Sequence, residues 1–225
     1  MDENARPTIA IVGGTGDLGS GLARRWVKAG YRVLIGSRSE ESARAAAAAL
    51  EEQAHDADWP RCEVEGLANV NAAARGDVVV VTVPFGSQRE TLLSIASEVK
   101  GKTVVDVTVP LVPPKVARVQ MPDEGSAGQI AQSVLGEEVH VVSAFQNVAA
   151  AHLQTDDPIA CDVLVCGNKK DARQQVIDLM DVIGMRGVHA GLINNAAAAE
   201  ALTSVLINLN RQYKTHTGIR ITGID

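Results

Sequence analysis

The sequence predicts an α/β fold organised on a doubly wound parallel sheet, and three observations carry that prediction. Short apolar segments alternate with helix-patterned ones along most of the chain. Segments such as "TIAIV" (8–12) and "VVVV" (78–81) are apolar throughout, not at every second residue, as strands covered on both faces are. The first of them runs into "GGTGDLG" (13–19), a glycine-rich turn that opens a helix.

Taken in order, "TIAIV" is a buried strand ending at that turn. Residues 18–29 place Leu18, Leu22 and Trp26 at helical spacing, and Gly30 ends the helix. "YRVLIG" (31–36) is the second strand. "SEESARAAAAALEEQA" (39–54) is a helix: Ser39 caps it, Glu40 and Glu41 meet the positive end of its dipole, and alanines fill it. "GDVVVVTVP" and "GKTVVDVTVP" are buried strands, each closed by a proline, Pro84 or Pro110, and "EVHVVSAF" and "CDVLVCG" extend the series. From residue 171 the pattern becomes helical. "ARQQVIDLMDVIG" is amphipathic, and "NNAAAAEALTSVLINLNRQY" is a longer helix with Ala198, Leu202, Val205 and Leu209 on one side. Asn194 and Asn195 are expected to cap it. The expected division is a Rossmann-type dinucleotide-binding domain over 1–170 and a small, mainly helical C-terminal part over 171–225. That part would close the cleft and offer an apolar face for a homodimer.

Composition narrows the partners. The 225 residues are 46% hydrophobic and 21% charged, with a net charge of −6 and only 3% aromatics. A negative chain with few stacking rings is not expected to bind nucleic acid. Cys62, Cys161 and Cys166 form no CxxC pair. On a strand, Cys161 and Cys166 point to opposite faces, so buried thiols of a reducing cytosol are expected. "MDENARP" lacks a basic-then-apolar leader, and no apolar run approaches the roughly twenty residues of a membrane span. A soluble cytoplasmic protein is expected. The five histidines, His55, His140, His152, His189 and His216, form no HExxH pair, and no metal site or catalytic acid–base residue is expected.

The candidate site begins at Gly14-x-Gly16-x-x-Gly19. Gly14 permits the tight turn, Gly16 lets the backbone approach a pyrophosphate, and Gly19 lets helix and strand pack closely. The helix amino terminus, at Asp17 and Leu18, supplies free N–H groups to the anion. A carboxylate at the end of the second strand would hold a ribose 2′-hydroxyl and repel a 2′-phosphate. The chain instead has Ser37 and Arg38, a hydroxyl beside a guanidinium fork, and Thr15 adds a further hydroxyl. A bare surface arginine at a helix start would oppose the helix dipole unless an anion balanced it. NADP(H) is therefore expected over NAD(H).

With those residues in place, the ordered set "IVGGTGDLGSGLARR", "VLIGSRS", "VVVTVPF", "VPLVPP", "VVSAFQNVAAAHL", "DVLVCGN" and "EALTSVLINLN...GIRITGI" resembles the NADPH-dependent coenzyme F420 reductases over nearly the whole chain from residue 8. The resemblance implies NADP(H) as one redox partner and the deazaflavin F420 as the other. It implies that Thr15 to Leu18 meet the pyrophosphate and that Ser37 and Arg38 meet the 2′-phosphate. Val83, Ser87, Val112 and Ala150 would line the NADP pocket beside Pro84. Gln146 and Val148 would contact the deazaflavin, with Thr217 nearby. Two positions depart from a family member: Ser42 stands for a lysine, with Arg44 close by, and Gln146 stands for a histidine. Direct hydride transfer needs two rings held at near-attack distance, roughly 3–3.5 Å, and demands no acid–base side chain. Reduction of another small acceptor, or NADP(H) sensing without turnover, are the alternatives.

Overall fold

The computed structural model describes residues 6–61 and 63–224, so the leader reading at residues 1–5 and Cys62 lie outside the described residues. Eight strands form one sheet: β1 (Ile9–Val12), β2 (Val33–Ser37), β3 (Val64–Ala68), β4 (Val78–Val81), β5 (Thr103–Asp106), β6 (His140–Ser143), β7 (Asp162–Gly167) and β8 (Arg186–Gly191). Their order is β3-β2-β1-β4-β5-β6-β7-β8. The helices are α1 (Asp17–Lys28), α2 (Glu40–Asp56), α3 (Asn69–Arg75), α4 (Phe85–Ile95), α5 (Ala127–Leu135), α6 (Ala150–Leu153), α7 (Lys170–Asp181) and α8 (Ala196–Tyr213).

The wholly apolar strands are explained by two separate cores. On one face Ile9, Ile11, Val33, Val78 and Val105 pack with Leu22 and Trp26 of α1, Ala43 and Ala47 of α2, and Val176 and Met180 of α7. On the other, Ala10, Val12, Leu34, Val79 and Val104 pack with Ala72 of α3, Leu92 and Ile95 of α4, Ala131 of α5 and Ala196 of α8. Adjacent strand residues serve opposite cores, which is the two-residue period of a strand read twice. Cys161 belongs to the first core and Cys166 to the second, and both are free buried thiols.

Two strands are absent from the sequence reading, β3 and β8, and they are the two edges of the sheet. An edge strand is incompletely covered, so it tolerates polar residues that hide its pattern. In β3 Glu65 receives both terminal nitrogens of Arg75 at 2.6 and 2.5 Å. β8 is half-buried apart from the exposed His189, and it also holds Arg186. It lies inside the stretch read as helical and pairs with β7.

A second difference concerns direction. β1 to β6 are parallel, but β7 runs antiparallel to β6, and β8 follows β7. The link from β6 does not cross back over a face of the sheet, as a parallel return requires. It stays at the carboxyl edge through α6 and re-enters there. The expected capping of α8 also differs. Asn195 enters α8 from a 3₁₀ turn with helical backbone angles and makes no side-chain cap; its Nδ2 donates to the Ala190 carbonyl at 2.7 Å. Asn194 is exposed. Ser39 does cap α2, accepting from the Ser42 amide at 3.2 Å.

The segment after β6 is held by α1. Arg25 is buried, and its guanidinium donates to the carbonyls of His152, Thr155 and Asp157 at 2.8, 2.7 and 2.9 Å, and to Ile183 at 3.2 Å. The first three satisfy carbonyls in and just after α6 that the short helix leaves open, and the fourth ties α1 to the segment after α7. Trp26 adds an indole bond to the Leu179 carbonyl at 2.9 Å and meets Phe145 edge-on, with ring centroids 6.3 Å apart.

Candidate active site

The chain reverses direction across the sheet between β1 and β4, and open α/β sheets bind ligands at such a point, beyond the carboxyl ends of the strands. A cavity of about 700 Å³ lies there. Its walls come from the glycine turn after β1, the end of β2, the β4–α4 junction and the long irregular stretch after β5. That volume falls in the range of small-molecule and cofactor clefts.

The glycine turn is built by close approaches. Gly13, not Gly14, carries the left-handed backbone, at φ 76°. Gly13 N–H donates to Asn69 Oδ1 at 3.1 Å, which fixes the turn from the start of α3. At Gly19 a Cβ would stand 2.7 Å from Thr82 Oγ1 and 2.8 Å from the Gly14 Cα, so α1 seats on the strand ends only without a side chain there. A Cβ on Gly16 would meet nothing closer than 3.8 Å, leaving its backbone open to a ligand.

Thr15, Gly16, Asp17, Leu18, Ser37, Arg38, Val83, Pro84 and Ser87, all singled out from sequence, line this one cleft. Gly14 and Gly19 are buried behind it. Arg38 is exposed at its rim, and no carboxylate pairs with it among the described residues. Arg44 instead pairs with Glu40 on α2. Val112 is exposed, between the lining residues Leu111 and Pro113.

The other expected contacts are not among the cleft-lining residues. Gln146 is buried; its Nε2 donates to the Asp106 carbonyl and to Ser143 Oγ, both at 2.9 Å, while its Oε1 has no partner. Asn147 ties the same loop to α8, donating to the Ala199 carbonyl at 2.8 Å. Thr203 Oγ1 returns a bond to the Gln146 carbonyl at 2.8 Å. Val148 and Ala150 are half-buried where the loop enters α6. Phe145, which starts the loop, holds a left-handed φ of 73°, a strained angle for a bulky residue that turns Gln146 inward. Thr217 is spent on Asn210 Oδ1 through both its N–H and its hydroxyl, at 2.6 and 2.7 Å.

Beneath the cleft lies a polar network that the sequence reading missed. Asp106 is fully buried at the end of β5. Thr108 Oγ1 donates to its Oδ1 at 2.7 Å, and Gln88 Nε2 donates to its Oδ2 at 2.6 Å. Gln88 Nε2 also reaches the Ala127 carbonyl. Glu200 of α8, almost fully buried, accepts from the Ala127 and Gly128 amides at 2.7 and 3.0 Å, capping α5 from outside. Burial pushes the Asp106 carboxyl up to about 6 against its hydrogen bonds. Burial pushes Glu200 up to about 8, against the pull of the two amides and with the Asp106 charge adding to the rise. Thr108 lines the cleft, so the network bears directly on its floor. One signal was available: an aspartate inside "VVDVTV" and a glutamate inside "AAAAEAL" interrupt otherwise apolar patterns.

Comparison with known proteins accords with this geometry. The sequence model of the family described as NADP oxidoreductase, coenzyme F420-dependent, matches residues 8–110. The F420-dependent NADP reductase of Methanocaldococcus jannaschii is 43% identical over 96% of this chain and 99% of its own length. The chain belongs to the F420-dependent NADP reductase family. The F420-dependent NADP reductase of Methanothermobacter thermautotrophicus is 42% identical over 96% of this chain and 95% of its own. A crystal structure from Arthrobacter sp. FB24, described as a candidate F420-dependent NADP reductase, superposes with a TM-score of 0.77 at 25% identity, covering 96% of this chain and all of that one. Among the described residues of this family member, no helix is long and apolar enough to cross a membrane, and no group of three or more His, Cys, Asp or Glu side chains is placed to hold a metal ion.

The buried carboxyls make stability depend on pH. Both native pKa values lie above the ordinary values of 3.8 and 4.5, so the native state keeps these protons longer than the unfolded chain. Their contribution is complete below those ordinary values and is lost as pH rises towards about 8. Denaturant midpoints should therefore fall between pH 5 and pH 8, and Glu200→Gln should flatten that fall. An unchanged slope in the variant would remove Glu200 from the account.

Proposed function

We propose that this protein exchanges a hydride between NADP(H) and coenzyme F420, with the cleft at the β1–β4 reversal as the place of exchange. The observation that carries the nicotinamide assignment is Arg38, an uncompensated guanidinium at the cleft rim beside Ser37, where an NAD site would place a carboxylate. The open backbone at Gly16 and the amino terminus of α1 suit a pyrophosphate. Family membership supports F420 as the second partner, since the relatives named above are F420-dependent NADP reductases.

NADP(H) and F420 supply the hydride chemistry when bound. The residues of this chain bind and orient them and keep water out. Gly14 to Gly19 would form the pyrophosphate seat, with Thr15 and Ser37 adding hydroxyls around the adenosine ribose. Val83, Pro84, Ser87 and Val112 would flank the nicotinamide side. Ala150, at the start of α6, is proposed to join the NADP pocket; Gln146 and Val148 belong to the loop proposed to meet the deazaflavin, and the unpaired Gln146 Oε1 is a free acceptor in that loop. No side chain needs to donate or take a proton in the transfer itself.

The C-terminal part, 171–225, is proposed to close the cleft and to present a homodimer face through Ala198, Leu202, Val205 and Leu209. Val205 remains 45% exposed, which supports an unsatisfied apolar stripe. Sedimentation should then give the mass of two chains, and Val205→Glu should give one. A monomeric parent at micromolar concentration would rule the face out. A cytoplasmic location is proposed on the same reading.

Mixing the protein with NADPH and F420 should bleach the oxidised deazaflavin band. Turnover with another acceptor alone would favour a different reductase, and tight NADPH binding with no turnover would favour a sensor. Arg38→Ala should weaken NADPH by about 2 kcal/mol, roughly thirty-fold, and leave NADH nearly unchanged. Equal losses for both carriers would defeat the 2′-phosphate assignment.

A further inference from the structure

From Ala201 to Ile224 the chain contains no aspartate or glutamate, yet it carries Arg211, Lys214, His216 and Arg220. In a protein with a net charge of −6, a basic run without internal counter-charge marks a place where an external anion lowers the electrostatic cost. The structure gathers part of that run. α8 ends at Tyr213, and Lys214 takes left-handed angles of φ 51° and ψ 47° that turn the chain back. Arg211, Lys214 and His216, with Ile207, Asn210 and Thr215, line a shallow cavity of about 380 Å³. Among the described residues, neither Arg211 nor Lys214 meets a carboxylate.

The reversed direction of β7 places this cavity at the functional edge of the sheet. Because β7 is antiparallel to β6, its first residue, Asp162, lies at the carboxyl ends of the parallel strands. Asp162 N–H donates to the Ile219 carbonyl at 2.8 Å, and Ile221 N–H donates to Asp162 Oδ2 at 2.6 Å. The C-terminal segment is thereby pinned to that edge. A Cβ on Gly218 would lie 2.8 Å from the Cys161 sulfur, and that sulfur stands 3.6 Å from the Asn147 carbonyl. The basic segment thus backs the loop that carries Gln146. His216 meets His152 of α6 edge-on, with ring centroids 5.5 Å apart. Two residues further, Gln154 donates to the Asp17 carbonyl at 2.9 Å, and Asp17 lines the cleft. Cleft and cavity therefore lie along one rim with α6 between them.

On the reading above, the anions of the nicotinamide carrier belong to the glycine turn and to Arg38. A guanidinium and an ammonium side by side suit phosphate and carboxylate oxygens on a flexible chain. The deazaflavin coenzyme carries such a chain, a phosphodiester followed by glutamyl carboxylates, remote from its reacting ring. We propose that Arg211, Lys214 and His216 form the docking site for that anionic tail. The proposal rests on the F420 reading above and adds a binding determinant outside the reacting cleft. Binding of a remote, unreactive part of the substrate acts chiefly on affinity, since the tail is held alike before and during the transfer.

The test compares F420 with its tail-less deazaflavin chromophore, each reduced by NADPH, in the parent protein and in the Arg211→Gln/Lys214→Gln double variant. Both substituted side chains are solvent-exposed, and melting curves check that the variant folds. In the parent, KM should be lower for F420 than for the tail-less chromophore, and about 0.3 M salt should narrow the difference by screening it. In the variant, KM for F420 should rise about ten-fold. Its kcat, the KM for the tail-less chromophore and the KM for NADPH should stay unchanged. Equal KM values for the two acceptors in the parent would overturn the docking site while leaving the F420 reading intact, as would a variant that loses both acceptors alike. Failure of NADPH to reduce either acceptor would overturn the F420 reading, and the docking site with it.

Discussion

The seating of α1 on the strand ends is the constraint from which the rest of the molecule follows. Its amino terminus reaches the sheet only because Gly19 offers no side chain to Thr82 and the Gly14 backbone. That contact creates the floor of the cleft and aims the first N–H groups of the helix into it. Further along the same helix, Arg25 gathers carbonyls in and just after α6. A single helix therefore locates both the glycine-turn wall of the cleft and the segment that follows β6. A shift of α1 by even a methyl group's width would move both.

Below the cleft, the protein tolerates two buried carboxyls where apolar packing would be simpler. Buried ionisable groups of this kind often cost as much as they contribute, so their presence is better explained by position than by stability. Glu200 brings α8 onto the start of α5, and Asn147 and Thr203 bring the Gln146 loop onto α8. Asp106 holds the Thr108 hydroxyl under the cleft. The polar contacts form one connected set running from the C-terminal helix to the floor of the cleft. Strain at Phe145 is sustained by the packing of its ring against Trp26, which keeps Gln146 facing inward.

What was legible in the sequence follows from what local pattern can encode. The glycine turn, the capped α2 and the strands apolar on both faces are local features, and they were read at their places. The rim residues Ser37 and Arg38 were legible because they adjoin the end of the second strand, whereas Val83 and Ser87 came with the family resemblance. The edge strands β3 and β8 were not, because half-exposure admits Glu65, Arg186 and His189. The reversal of β7 was not legible either, since a strand's residues do not encode which end of the sheet it enters. Gln146 was expected to offer its amide to the deazaflavin, and nothing local in the sequence shows what holds the loop it shares with Asn147. Only the fold reveals that Asn147 is committed to α8 and half of Gln146 to Asp106, across separations of 52 and 40 residues. Asn69, which braces the glycine turn, was invisible for the same reason.

The opposite placement of Cys161 and Cys166 gives the fold a built-in reporter. The two sulfurs lie in different cores, and burial raises both thiols, Cys166 to about 11, so neither presents a reactive thiolate in the folded state. Alkylation at either position must wait for its own layer to open. Mass spectrometry of pulse-labelled protein would then resolve whether the α1–α2–α7 layer and the α3–α4–α5 layer come apart together or in sequence, with no probe added to the molecule.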